Sequence, residues 1–217
     1  MGESLDSGIK DNSNIKDMLI YEPHNMLISG VTNCGKTYFA LDLLEKDYRN
    51  KFENVVIFCP TYFNNKTYER KWIYLDKKVF IINPESISNN FDLVLHFAAQ
   101  TFAGSKTLFL IDDCANLRDT KKKVSELCNL AFSGRHYNIS VWLLVQKYNS
   151  VVKDFRENIR ILVLFFNKDE SAMKDALEEN SVIPKDQRQY YIEKLKNKKG
   201  SKLVIRLQHP FEFTLMT

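Results

Sequence analysis

Residues Gly30 to Thr37 read GVTNCGKT and fit G-x-x-x-x-G-K-[ST], the spacing of a phosphate-binding loop. Its two glycines let the backbone wrap tightly and turn N–H groups toward an anion. A helix starting near Lys36 adds the positive end of its dipole. In such a loop Lys36 reaches the β- and γ-phosphates of a nucleotide, and Thr37 offers its hydroxyl to Mg2+. The binding loop read this way comprises Gly30, Val31, Thr32, Asn33, Cys34, Gly35, Lys36, Thr37 and Tyr38. The bland alternative is a glycine turn with no ligand, and the flanking sequence weighs against it. An apolar run at 26–28 precedes the loop, and an amphipathic helical pattern from Tyr38 to Leu44 follows.

Two further elements carry polar side chains at the ends of apolar runs. Thr107 to Asp113 reads TLFLIDD, a buried strand closed by two carboxylates. Asp112 is placed to hold Mg2+ through its water shell, and Asp113, one residue on, to orient and polarise a lytic water. Helix capping is the alternative for this pair. Ile139 to Val145 is a third apolar run, ending in Gln146. A polar residue there points into the crevice where open α/β sheets bind ligands, within reach of a γ-phosphate or the lytic water.

Buried strands expected near 25–29, 54–59, 79–82, 107–112, 139–145 and 159–166 alternate with helical patterns near 36–48, 86–102, 120–133, 170–179 and 185–196. Residues 61–77 read as an irregular or helical insertion, and 203–205 with 211–213 as a terminal hairpin. This order predicts an α/β fold with a mostly parallel central sheet flanked by helices on both faces. Residues 1–20 are polar and read as a mobile N-terminal arm, leaving 21–217 as a single ATPase domain. The chain's 217 residues, 44% apolar and 27% charged, are enough for one sizeable core and exclude the disordered and low-complexity classes.

A net charge of +4 is mildly basic. Lysines 121–123, and Lys194, Lys196, Lys198, Lys199 and Lys202, form clusters that are either solvated turns or contacts to a phosphate backbone. No two of Cys34, Cys59, Cys114 and Cys128 have zinc-knuckle or C-x-x-C spacing. Cys34 lies inside the loop, where a helix N-terminus lowers a thiol pKa, so a reactive thiol in a reducing compartment is expected. A polar N-terminus and the lack of any apolar run of membrane length lead to the expectation of a host-cell cytoplasmic or nuclear protein, with no membrane partner.

With these elements in order, the chain resembles the FtsK–HerA superfamily of P-loop ATPases, and within it the genome-packaging ATPases of poxviruses, other large DNA viruses and Polinton-type elements. The resemblance runs from Asn25 to Phe166. It rests on Gly30–Thr37, on the Leu108–Asp113 strand, on SGRHYN at 133–138, on WLLVQ at 142–146 and on FRENI at 155–159. It implies a P-loop NTPase (RecA/FtsK-like) fold and an ATP- and Mg2+-dependent motor, built as a homo-oligomeric ring, that drives double-stranded DNA into a viral capsid and associates with the virion. It also implies an arginine finger supplied by a neighbouring subunit, with Arg135 the first candidate and Arg156 the second. Asp113, a shorter carboxylate, stands where many members carry Glu. The same residues admit three alternatives: a small-molecule P-loop kinase, a nucleotide-dependent assembly protein without turnover, and a GTPase suggested by NKDE at 167–170. The last lacks the Asp and the D-x-x-G of a GTPase.

Overall fold

A computed structural model of the chain describes residues 15–48, 50–114 and 125–217. The apolar runs form six parallel strands: β1 (Asn25–Ser29), β2 (Asn54–Phe58), β3 (Val79–Ile81), β4 (Thr107–Asp112), β5 (Ile139–Val145) and β6 (Ile161–Phe165). Antiparallel β7 (Lys202–Arg206) and β8 (Glu212–Met216) extend one edge. Their spatial order is β3-β2-β4-β5-β1-β6-β7-β8. β1 and β5 bury every residue, which is why these segments read as continuous apolar runs without polar alternation.

Alternate residues of the strands point to opposite faces, and each face is covered. On one side lie α1 (Ile15–Met18), α2 (Lys36–Lys46) and α3 (Lys71–Leu75). Phe39, Leu41, Leu43 and Leu44 of α2 pack there with Met26, Ile28, Leu110, Trp142 and Val163 of the sheet. On the other side lie α4 (Pro84–Phe102), α5 (Ser125–Ser133), α7 (Glu170–Glu179) and α8 (Lys185–Asn197). Leu27, Phe109, Val141, Leu143 and Leu162 meet Leu95, Leu130, Leu177 and Leu195 of those helices. The short α6 (Lys153–Arg156) follows β5. The expected fold class is therefore the one observed.

Local chemistry sets several boundaries. Pro84 opens α4, and the Asn83 side chain accepts from the Glu85 N–H. Asn90, with φ −147°, kinks that helix, which periodicity did not foresee. Asp169 caps α7 by accepting from the Ala172 N–H.

One boundary needs correction. Residues 15–20 do not belong to an arm, because Met18, Leu19 and Ile20 are buried against the sheet. The Tyr48 hydroxyl accepts from the Ile20 N–H and donates to the Ile20 carbonyl, and Arg206 donates to the Asp17 carbonyl. A three-residue apolar run bracketed by polar neighbours is enough to dock a single turn. Residues 1–14, lysines 121–123 and the expected start of the helix after Asp113 lie outside the described residues.

Candidate active site

Topology makes the site. β4, β5 and β1 are consecutive neighbours in the sheet and run parallel, so their C-terminal ends share one edge. Neighbouring strands lie about 4.8 Å apart. Three motifs far apart in sequence, the loop after β1, the carboxylates ending β4 and the glutamine after β5, therefore converge.

The loop leaves β1 at Gly30, whose N–H donates to the Val145 carbonyl at 3.1 Å. A Cβ at Gly30 would lie 2.5 Å from Phe165 Cβ and 2.8 Å from Cys34 Sγ, so packing excludes any larger residue. Asn33 (φ 61°) and Gly35 (φ 104°) are left-handed and bend the chain into α2. No side chain caps α2, and its first described intrahelical bond runs from Phe39 N–H to Gly35 O. The amides at the helix start are thus left for an external acceptor. Lys36, buried, lies back across the loop and donates to the Gly30 and Val31 carbonyls at 2.6 and 3.0 Å.

The Thr37 hydroxyl donates to Asp112 Oδ2 at 2.8 Å, a contact spanning 75 residues. The Tyr68 hydroxyl donates to the same oxygen, also at 2.8 Å. Burial pushes the Asp112 carboxyl up, while the Thr37 and Tyr68 hydroxyls and Lys36 pull it back and Asp113 adds to the rise. Gln146 donates through Nε2 to Asp113 Oδ1 at 3.3 Å, and Asp113 turns out of β4 through a left-handed φ of 58°. A hydroxyl and a carboxylate converging on one point, beside amides that suit a phosphate, are hard oxygen donors of the kind Mg2+ uses when nucleotide and water complete its shell. The two residues predicted as metal-side groups, Thr37 and Asp112, fit that ion.

Not every predicted residue joins this cluster. Arg135 is exposed in the turn between α5 and β5, beside Arg160, at the opposite edge of the sheet. The length of β5 puts it roughly 20 Å from this chain's own loop. Arg156 is occupied inside the fold. It pairs with Glu179, and its guanidinium stacks on the Tyr148 ring at 4.9 Å, with the side chain 13% exposed. A finger needs a free guanidinium, and Arg156 does not have one. The Cys34 expectation is also corrected: burial pushes its thiol up, and the opposing pull of Lys36 is smaller.

Three residues were missed or misread. Tyr68 comes from the insertion after β2 and touches Asp112. Arg70, two residues on, donates to Glu45 Oε2 at 2.7 Å and covers the Tyr38 ring at 4.9 Å. Asn167, in the stretch resembling a guanine-binding motif, is buried and donates to the Gln146 carbonyl at 2.9 Å while accepting from the Asp169 N–H. Its amide is used to fix Gln146. Because β7 runs antiparallel to β6, Lys202 sits opposite Phe165, and the exposed Lys194, Lys196, Lys198 and Lys199 lead toward the loop-bearing edge of the sheet.

A family model described as "Poxvirus A32 protein" matches residues 12–208. "DNA packaging protein OPG160" of Variola virus is 26% identical over 152 residues, covering 67% of this chain and 54% of that protein. Its counterpart in Vaccinia virus (strain Copenhagen) is 26% identical over 151 residues, covering 66% and 53%. The chain thus spans about half the length of the curated relatives it matches. Among solved structures, B204, described as the DNA-packaging ATPase from Sulfolobus turreted icosahedral virus, superposes with a TM-score of 0.66 at 13% identity, covering 91% of this chain and 98% of that one. B204 of Sulfolobus turreted icosahedral virus 2, solved in complex with AMPPCP, gives 0.64 at 12% identity, covering 92% and 99%. Among the described residues no helix is long and apolar enough to cross a membrane.

Proposed function

The chain belongs to the poxvirus A32 protein family, and from that premise we propose that it is an ATP-hydrolysing motor that packages double-stranded viral DNA. One observation carries the reading. Thr37 of the phosphate loop and Asp112 of β4 meet at 2.8 Å, with Asp113 and Gln146 hydrogen-bonded beside them. That arrangement serves turnover rather than binding alone. The printed descriptions of the relatives, DNA packaging proteins and a DNA-packaging ATPase, support the choice of DNA as the track.

In this reading the loop amides and Lys36 take the nucleotide phosphates, Lys36 exchanging the Gly30 and Val31 carbonyls for phosphate oxygens. Thr37 and Asp112 would hold Mg2+, which would supply neutralisation of the phosphate charge. Asp113 orients the attacking water, and Gln146 fixes Asp113 and offers a second hydrogen bond to that water. Asn167 holds the Gln146 backbone in place for this role. Arg135 points away from its own site and is free to reach a neighbour's, acting as a finger in a homo-oligomeric ring. The lysines from Lys194 to Lys202 contact the DNA backbone by displacing its counterions. The motor acts inside the host cell, engages a capsid vertex and has no membrane partner.

The test is Lys36→Ala beside Asp113→Asn. Lys36→Ala loses nucleotide binding and hydrolysis together. Asp113→Asn keeps binding but loses turnover by about 100-fold or more, the scale of general-base contributions. Retained hydrolysis in Lys36→Ala, or binding and turnover lost together in Asp113→Asn, overturns these assignments.

A further inference from the structure

Asp112 is served from two directions. From the loop side comes Thr37, and from beneath comes Tyr68, both donating to the single oxygen Oδ2 at 2.8 Å. Tyr68 is 1% exposed. Its hydroxyl is the donor in that contact, so its direction is fixed by the Asp112 carboxylate. It sits in a 3-10 turn (Lys66–Tyr68) built for rigidity, since Asn65 Oδ1 accepts from the Thr67 N–H and the Tyr62 ring packs 5.1 Å from the Tyr68 ring.

The same segment is tied to the nucleotide loop a second time. Arg70 donates to Glu45 on α2 at 2.7 Å and to the Tyr38 carbonyl at 3.4 Å, and its guanidinium lies over the Tyr38 ring. Residues 65–70 therefore strap the two ends of α2 to the end of β4. Among the described residues, the hydrogen bonds Asp112 accepts both end on Oδ2. Among the described residues no donor meets Oδ1, and the carboxylate cannot rotate without breaking both bonds to Oδ2.

We propose that Tyr68 is a positioning residue for the magnesium–nucleotide complex: by locking Asp112 Oδ2 together with Thr37, it presents Oδ1 to the ion's water shell. The proposal rests on the reading of Asp112 as the metal-side carboxylate. Tyr68 touches neither nucleotide nor metal, so it acts only on the part of nucleotide affinity that depends on Mg2+.

The experiment measures the affinity of the full chain for a fluorescent ATP analogue, once in EDTA and once in saturating Mg2+. The ratio of the two dissociation constants is the readout. Tyr68→Phe keeps the ring and removes the donor. It lowers the ratio about tenfold, the lower end of what a hydrogen bond to a charged group contributes, and leaves the EDTA value within about twofold. Asp112→Asn lowers the ratio at least as far. In that background Tyr68→Phe adds nothing, because coupling through one carboxylate is non-additive. Arg70→Ala loosens the strap from the surface and gives a smaller fall in the ratio, covering the case in which Tyr68→Phe is poorly folded. If Asp112→Asn collapses the ratio and both Tyr68→Phe and Arg70→Ala leave it unchanged, the positioning role is overturned. A Tyr68→Phe that raises both constants equally, or lowers only the melting temperature, marks a packing residue and also overturns it. If Asp112→Asn itself leaves the ratio intact, the metal-side reading fails instead.

Discussion

Acidification should loosen the base of the loop strand through His24. This side chain is 1% exposed just before β1. Its Nδ1 bonds the Glu22 carbonyl at 2.8 Å, and its Nε2 accepts from the Trp142 indole N–H at 3.1 Å. Both partners fit only the neutral Nδ1–H tautomer. Burial lowers its pKa from 6.5 to about 4, with the charges of Arg160 and Lys106 adding to the fall. The sign follows. Between pH 6.5 and about 4 the unfolded chain binds a proton that the folded chain refuses, so stability rises with pH and is lost as pH falls. At about 1.36 kcal/mol per unit, the loss is about 2 kcal/mol between pH 7 and 5 and about 3 kcal/mol by pH 4. Urea unfolding at pH 7, 6 and 5 measures it. A His24→Gln variant has lower stability at pH 7 and a flatter pH response. Parallel curves for the two proteins across pH 7 to 5 would refute the assignment.

Two further outcomes follow from packing and charge. Gly30→Ala drives a Cβ onto Phe165 and Cys34, and overpacking of this kind costs about 1–3 kcal/mol, read as a lower denaturation midpoint with weakened nucleotide binding. Arg135 and Arg156 separate by assay. Arg156→Ala loses stability on the order of 1–2 kcal/mol through its Glu179 and Tyr148 contacts. Arg135→Ala keeps stability and ATP binding but lowers turnover, and mixing it with Asp113→Asn subunits restores activity above either parent. Equal stability losses in both variants would contradict this division.

The contrast between residues legible in the sequence and those that were not has a physical basis. That Lys36, Thr37, Asp112 and Gln146 share one edge of the sheet could be read, because phosphate and metal chemistry would impose residue type and spacing, and because strands buried on both faces leave long apolar runs. Parallel topology then brought those chain ends together, as the order of elements implied. Tyr68 could not be read, since its contact with Asp112 spans 44 residues and its turn has no period to mark one aromatic among many. Arg156 looked available as a finger, and the support Asn167 gives Gln146 went unread, because their partners, Glu179 and the Gln146 carbonyl, are set by tertiary packing alone. Cys34 was misread because the local rule for helix N-termini ignores burial, which here is the larger effect. Docking of α1 depended on three apolar residues, too few for a periodic signal.

The most direct test of the motor reading is steady-state ATP hydrolysis with and without double-stranded DNA across a salt series. Stimulation by DNA at low salt, fading as salt rises and weakened by charge removal at Lys196, Lys198 and Lys199, is the predicted result. Hydrolysis that proceeds at the same rate with and without DNA at every salt concentration would contradict it.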